Sequence, residues 1–87
     1  MNISVIILSW NRKDEILKSI SDLEYQSYKD FEVIVVDQGS TDQTVEAIRS
    51  KYPNVKIIQL DKNIGVPGGR NVGAANAKGR YLVFLDN

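Results

Sequence analysis

The sequence predicts an α/β protein with a Rossmann-like, three-layer fold, and three observations carry the prediction. Short runs rich in Val, Ile and aromatics alternate with segments of helical period. The helical segments are long enough to cross between parallel strands. Three of the four strand-like runs are nearly continuous in apolar residues, as strands covered on both faces must be. The order is β-α-β-α-β-α-β, and right-handed crossovers lay the strands out as 3-2-1-4. The switch point of such a sheet falls between the first and fourth strands, where ligands bind outside the carboxyl ends.

The first strand is Ile3-Ser4-Val5-Ile6-Ile7-Leu8. A helix follows from about residue 13 to 25, with Ile16, Leu17, Ile20 and Leu23 on one face and Lys18, Ser21 and Asp22 outside. The second strand is Phe31-Glu32-Val33-Ile34-Val35-Val36. Ser40-Thr41-Asp42-Gln43 has the form of a capping box opening a helix with Val45, Ile48 and Tyr52, which Pro53 stops. The third strand, Val55-Lys56-Ile57-Ile58-Gln59-Leu60, is more mixed and reads as an edge. A third helix is expected from Pro67 or Gly69 through Ala74, Ala75 and Ala77, with Gly79 as its C-terminal cap. Tyr81-Leu82-Val83-Phe84-Leu85 is the fourth strand and delivers Asp86.

Composition excludes several classes of function. A chain of 87 residues is one domain at most, spanning 1–87. Eleven basic and eleven acidic side chains cancel without a basic block, so no nucleic acid partner is expected. The absence of His and Cys excludes Ser-His-Asp and Cys-His sites and the usual zinc ligand sets. A metal would therefore be a hard cation held by oxygen, magnesium or manganese. The apolar opening is too short to span a membrane and has no preceding basic stretch, so the expected compartment is the cytoplasm.

Chemistry-bearing residues gather at the carboxyl ends of neighbouring strands. Ser9-Trp10-Asn11-Arg12 follows the first strand, Asp37-Gln38-Gly39-Ser40 ends the second, and Asp86 ends the fourth. An aromatic face, amide and guanidinium donors and two carboxylates suit a nucleoside diphosphate with a bridging metal. Asp37 has an equal alternative as a turn former or cap, and Trp10 could also close the core. Arg70 is expected in the first turn of the third helix, where the dipole favours an anion. Three familiar motifs are absent. Ser9 to Arg12 has no glycine for a dinucleotide fingerprint. The Gly68 and Gly73 spacing approaches a P-loop, but Ala74 and Ala75 replace its Lys and Ser or Thr. A pyrophosphorylase would carry its glycine-rich loop after the first strand.

On these residues the chain resembles the start of family 2 inverting glycosyltransferases of the GT-A fold. Ser9-Trp10-Asn11-Arg12 is similar to the family's opening loop, and Val35-Val36-Asp37-Gln38-Gly39-Ser40-Thr41-Asp42 to its Val-Val-Asp-Asp-Gly-Ser-Thr-Asp signature. Asn63-Ile64-Gly65 and Gly69-Arg70-Asn71-Val72-Gly73 resemble later elements, and Phe84-Leu85-Asp86-Asn87 resembles the approach to the Asp-x-Asp metal motif. The resemblance implies a truncated GT-A domain that binds a nucleotide-sugar donor. Ser9, Trp10 and Asn11 would border the base, Asp37 would contact the nucleoside, Arg70 would lie near the base or diphosphate, and Asp86 would face the ribose and metal, with Arg12 and Gln38 also among the substrate-binding residues. Leu8 stands where the family has Pro, and Gln38 where it has a second acid, which leaves the nucleotide open beyond UDP. The second metal acid, acceptor site and general base are expected beyond Asn87, so the 87 residues are expected to bind nucleotide weakly without transfer. The parent enzyme would be cytoplasmic or peripheral at a membrane.

A different class of reading is a non-catalytic scaffold that forms a homodimer through the fourth strand, whose apolar edge is open. A receiver-type domain fits less well, because no acid follows the first strand.

Overall fold

The elements run β1 (Ile3–Ser9), α1 (Lys13–Glu24), β2 (Phe31–Gln38), α2 (Thr44–Lys51), β3 (Lys56–Leu60), α3 (Gly65–Ala75) and β4 (Tyr81–Leu85) in a computed structural model that describes residues 1–86. Asn87, last residue of the proposed approach to a metal motif, lies outside the described residues. All pairings are parallel and the order is β3-β2-β1-β4, as expected, with β3 at an edge.

Alternation of side chains along the central strands builds two cores. Val5, Ile7 and Val35 pack with Ile16, Ile20 and Ile48 of α1 and α2, and Ile6, Ile34 and Val36 meet Val72 and Ala74 of α3 on the other face. Ile16, Ile20 and Ile48 are fully buried, each stabilising the fold by roughly 1.5–3 kcal/mol. Small residues let α3 approach closely. A Cβ on Gly73 would lie 2.5 Å from Ile6 Cγ2, so no larger residue fits as the chains stand.

Three local expectations are corrected. Ser40 does not cap α2, because its Oγ already accepts from Asn11 N while donating to Asp37 Oδ1; the helix starts at Thr44, and Asp42 Oδ1 accepts from Thr44 N in a two-residue turn. The third helix begins at Gly65 rather than Pro67 or Gly69. Gln38 Oε1 accepts from Ile64 N at 2.9 Å and Asn63 Oδ1 from Gly65 N at 2.8 Å, so the first donors are satisfied upstream of Pro67. That helix ends at Ala75 with Asn76 as cap, and Gly79 instead packs on the backbone of β1.

Candidate functional site

β1 and β2 end side by side, Ser9 opposite Asp37, and β4 ends beside them. The α3 N-terminus closes the other side of a cleft of about 450 Å³. Ser9, Trp10, Arg12, Gln38, Arg70 and Asp86 line it, as the sequence predicts, with Leu8 and Phe84 as apolar wall. Asn63, Gly65 and Val66 also line it and were not foreseen as site residues. Their signal was the Asn63-Ile64-Gly65 stretch, whose amide and glycine shape the start of α3.

The cleft joins unlike chemistries. Ser9 is 1% exposed, and its Oγ has no hydrogen-bond partner among the described residues. Such a hydroxyl costs about 1–3 kcal/mol when left unpaired. Trp10 is 52% exposed, which argues against core closure. Gln38 is buried and uses its Oε1 to hold Ile64 N, while its Nε2 lies against Gly69, where a Cβ would come within 2.9 Å. Arg70 is the sixth residue of α3, beyond the first turn where it was expected. It is aimed across the cleft by two partners: its Nη2 donates to Asp86 Oδ1 at 3.3 Å, and its guanidinium lies 5.2 Å from the Phe84 ring centroid.

Asn11 and Asp37 do not line the cleft. Asp37 is fully buried; its Oδ2 accepts from Ser40 N at 3.0 Å and its Oδ1 from Ser40 Oγ at 2.6 Å, the turn-forming role. Asn11, in the left-handed region at φ 51, donates its N-H to Ser40 Oγ at 2.9 Å and accepts from Thr41 N at 2.7 Å through Oδ1. Lys13 N donates to Asp42 Oδ2 at 3.0 Å. The β1–α1 and β2–α2 loops are thus stitched together. The Thr44 hydroxyl, outweighing burial and helped by backbone donors that include Lys13 N, holds the Asp42 carboxyl below its usual range.

Among the described residues no three carboxylate, His or Cys groups gather as a protein-only metal cage. Asp86 is the acid on the cleft, and its side chain is 96% exposed. One accessible carboxylate fits a hard cation that takes its remaining oxygens from a ligand and water, the usual arrangement for Mg²⁺ with phosphates.

The profile described as "Glycosyl transferase family 2" matches residues 4–87. The chain belongs to glycosyltransferase family 2. Among the relatives of this family 2 chain is the Escherichia coli UDP-Glc:alpha-D-GlcNAc-diphosphoundecaprenol beta-1,3-glucosyltransferase WfaP, 39% identical over 98% of this chain and 34% of its own length. The structure of Staphylococcus aureus TarS 1-349 with UDP-GlcNAc superposes with a TM-score of 0.90 at 38% identity, over 99% of this chain and 26% of that one. The Pyrobaculum calidifontis mannosyltransferase PcManGT, in complex with GDP-Man and Mn²⁺, gives a TM-score of 0.88 at 26% identity, over 98% and 27%. The family 2 chain therefore spans about a third or less of the relatives it matches, and its four-strand sheet forms part of a GT-A glycosyltransferase domain.

Proposed function

We propose that the chain is the donor-binding part of a family 2 enzyme that transfers a sugar from a nucleotide-sugar to an acceptor hydroxyl with inversion at the anomeric carbon. The observation that carries this reading is the orphaned Ser9 Oγ, buried in a cleft that also offers an aromatic face, two arginines and a carboxylate. Trp10 supplies a face for the base, Ser9 Oγ and Gln38 polar contacts to the nucleoside, Arg12 and Arg70 charge for the diphosphate, and Asp86 an oxygen for the ribose and a divalent cation. Bound Mg²⁺ or Mn²⁺ would neutralise charge on the departing diphosphate. The named ligands of the two solved relatives, UDP-GlcNAc and GDP-Man with Mn²⁺, support the ligand class.

Transfer also needs a base to take the proton of the attacking hydroxyl. Among the described residues Asp86 is the acid on the cleft, and it is committed to donor and metal. The 87-residue chain should bind nucleotide weakly and transfer no sugar. Calorimetric titration with UDP, GDP and dTDP, each with and without Mn²⁺, tests this: saturable heat that grows with Mn²⁺ is expected for at least one. No heat with any of them refutes the nucleotide reading, and appreciable sugar transfer refutes the division of labour.

One observation favours a second reading beside the first. Tyr81, Leu82, Val83 and Phe84 are all exposed on β4, so copies of this chain would associate along that edge. A monomer by light scattering at high concentration would end that idea.

A further inference from the structure

The amino end of the sheet, opposite the cleft, carries polar groups with no role in ligand contact. On the α3 face, Ser4 of β1, Glu32 of β2 and Lys56 of β3 stand at the positions that precede Ile6, Ile34 and Ile58 on the same face. All three hold the segment between α3 and β4. Gly79 N donates to Ser4 Oγ at 2.8 Å, Ser4 Oγ donates to Glu32 Oε2 at 2.6 Å, and Lys78 N donates to the same oxygen at 2.7 Å. Lys56 Nζ donates to the carbonyl of Asn76 at 3.2 Å. Gly79 sits so tightly that a Cβ would come within 2.6 Å of Ile3 C and Ser4 N. Two residues on, Tyr81 N donates to Asn2 O at 3.0 Å and the β1–β4 ladder starts with Ile3 opposite Tyr81.

Register is specified strongly where a strand buries one face and weakly where it does not. β4 pairs on one side through β1, and its first four side chains are all exposed, so its apolar contacts define register poorly. A slip of one residue would move Asp86 about 3.3 Å along the strand and turn it to the other face.

We propose that Glu32 is a positioning residue for Asp86: by fixing the segment before β4, it sets the register that brings the Asp86 carboxylate to the cleft at the strand's far end. What Asp86 does there rests on the nucleotide reading above; the effect on β4 does not.

The test uses Glu32→Ala and Glu32→Gln in the full chain, read by amide hydrogen exchange and by calorimetry with UDP or GDP, with and without Mn²⁺. In Glu32→Ala the amides of β4 should lose protection by about tenfold or more while those of β2 hold theirs. The Mn²⁺-dependent gain in nucleotide affinity should vanish, with metal-free affinity within about twofold of wild type. Glu32→Gln keeps the shape and one acceptor oxygen, so it should fall between, and it carries the test if the alanine variant does not fold. Unchanged β4 protection, or equal loss across all strands, overturns the proposal. A wild-type chain that binds no nucleotide refutes the donor-site reading, and the selectivity of the exchange then decides the positioning of β4.

Discussion

Two glycines of α3 should respond differently to the same substitution. Gly→Ala inside a helix normally gains about 1 kcal/mol from propensity and chain entropy. At Gly73 the new methyl would lie 2.5 Å from Ile6 Cγ2 and 3.3 Å from Val36 Cγ2, where carbons prefer roughly 3.5–4.0 Å. Relief requires a shift of about 1 Å in the packing of α3 on β1. Ile6 and Val36 are buried on the two central strands and have nowhere to go, so the overpacking should cost about 1–3 kcal/mol. At Gly68 the methyl would meet Ile64 Cδ1 at 3.0 Å, the far end of a flexible side chain that is 43% exposed. That neighbour can turn away. Gly68→Ala should therefore be neutral or stabilising, and Gly73→Ala less stable than Gly68→Ala by about 1–3 kcal/mol. Urea titration followed by circular dichroism reads the difference as a midpoint shift of the order of 1 M. A Gly73→Ala midpoint equal to or above that of Gly68→Ala would refute the close-packing argument.

Other outcomes follow from the site. Ser9→Ala removes an unpaired buried hydroxyl, so it should leave stability unchanged or raise it by up to about 1 kcal/mol while weakening nucleotide binding, a divergence that urea and calorimetric titrations detect together. Arg70→Ala should weaken binding of a nucleoside diphosphate by about tenfold or more, and nucleoside alone much less; equal losses for both would remove Arg70 from the diphosphate. Acid should destabilise the fold through Glu32 and Asp42. Burial works against the Glu32 charge, yet the hydrogen bonds from Ser4 and Lys78 and the nearby Lys56 and Lys78 outweigh it and lower its pKa. Both carboxyls are thus more acidic folded than unfolded, so their stabilisation is present above the unfolded values, near 4, and is lost as the pH falls through the lower folded ones. The urea midpoint should drop across that range, and Asp42→Asn should flatten the drop.

Strand order, edge placement and most of the cleft were legible because they follow from signals spread over many residues. The unbroken apolar character of β1 and β2 and the mixed β3 decide the sheet, and the sheet decides which loops converge. Helix ends were less legible, since they turn on competition among a few hydrogen bonds. Ser40 with Gln43 has the spacing of a cap, but the Ser40 oxygen accepts from Asn11 N of the neighbouring loop while its hydroxyl donates to the buried Asp37 carboxylate. The Gln38 amide, from the far end of another strand, supplies the acceptor that starts α3 before Pro67. That early start moves Arg70 out of the first turn, where it meets Asp86. Asn11 and Asp37 have the residue types of a polar site, and only the three-dimensional arrangement shows their oxygens engaged by Ser40 and Thr41.

The reciprocal bonds between Asn11, Ser40 and Thr41 have a bearing on engineering. Trp10 and Arg12 flank Asn11, so the cleft wall after β1 takes its shape from residues about thirty positions downstream. Grafting a new 9–12 segment to change ligand preference would leave Ser40 and Thr41 facing the wrong partner. The two loops form one exchangeable unit, and chimeras that swap them together should keep the conformation that single-loop chimeras lose.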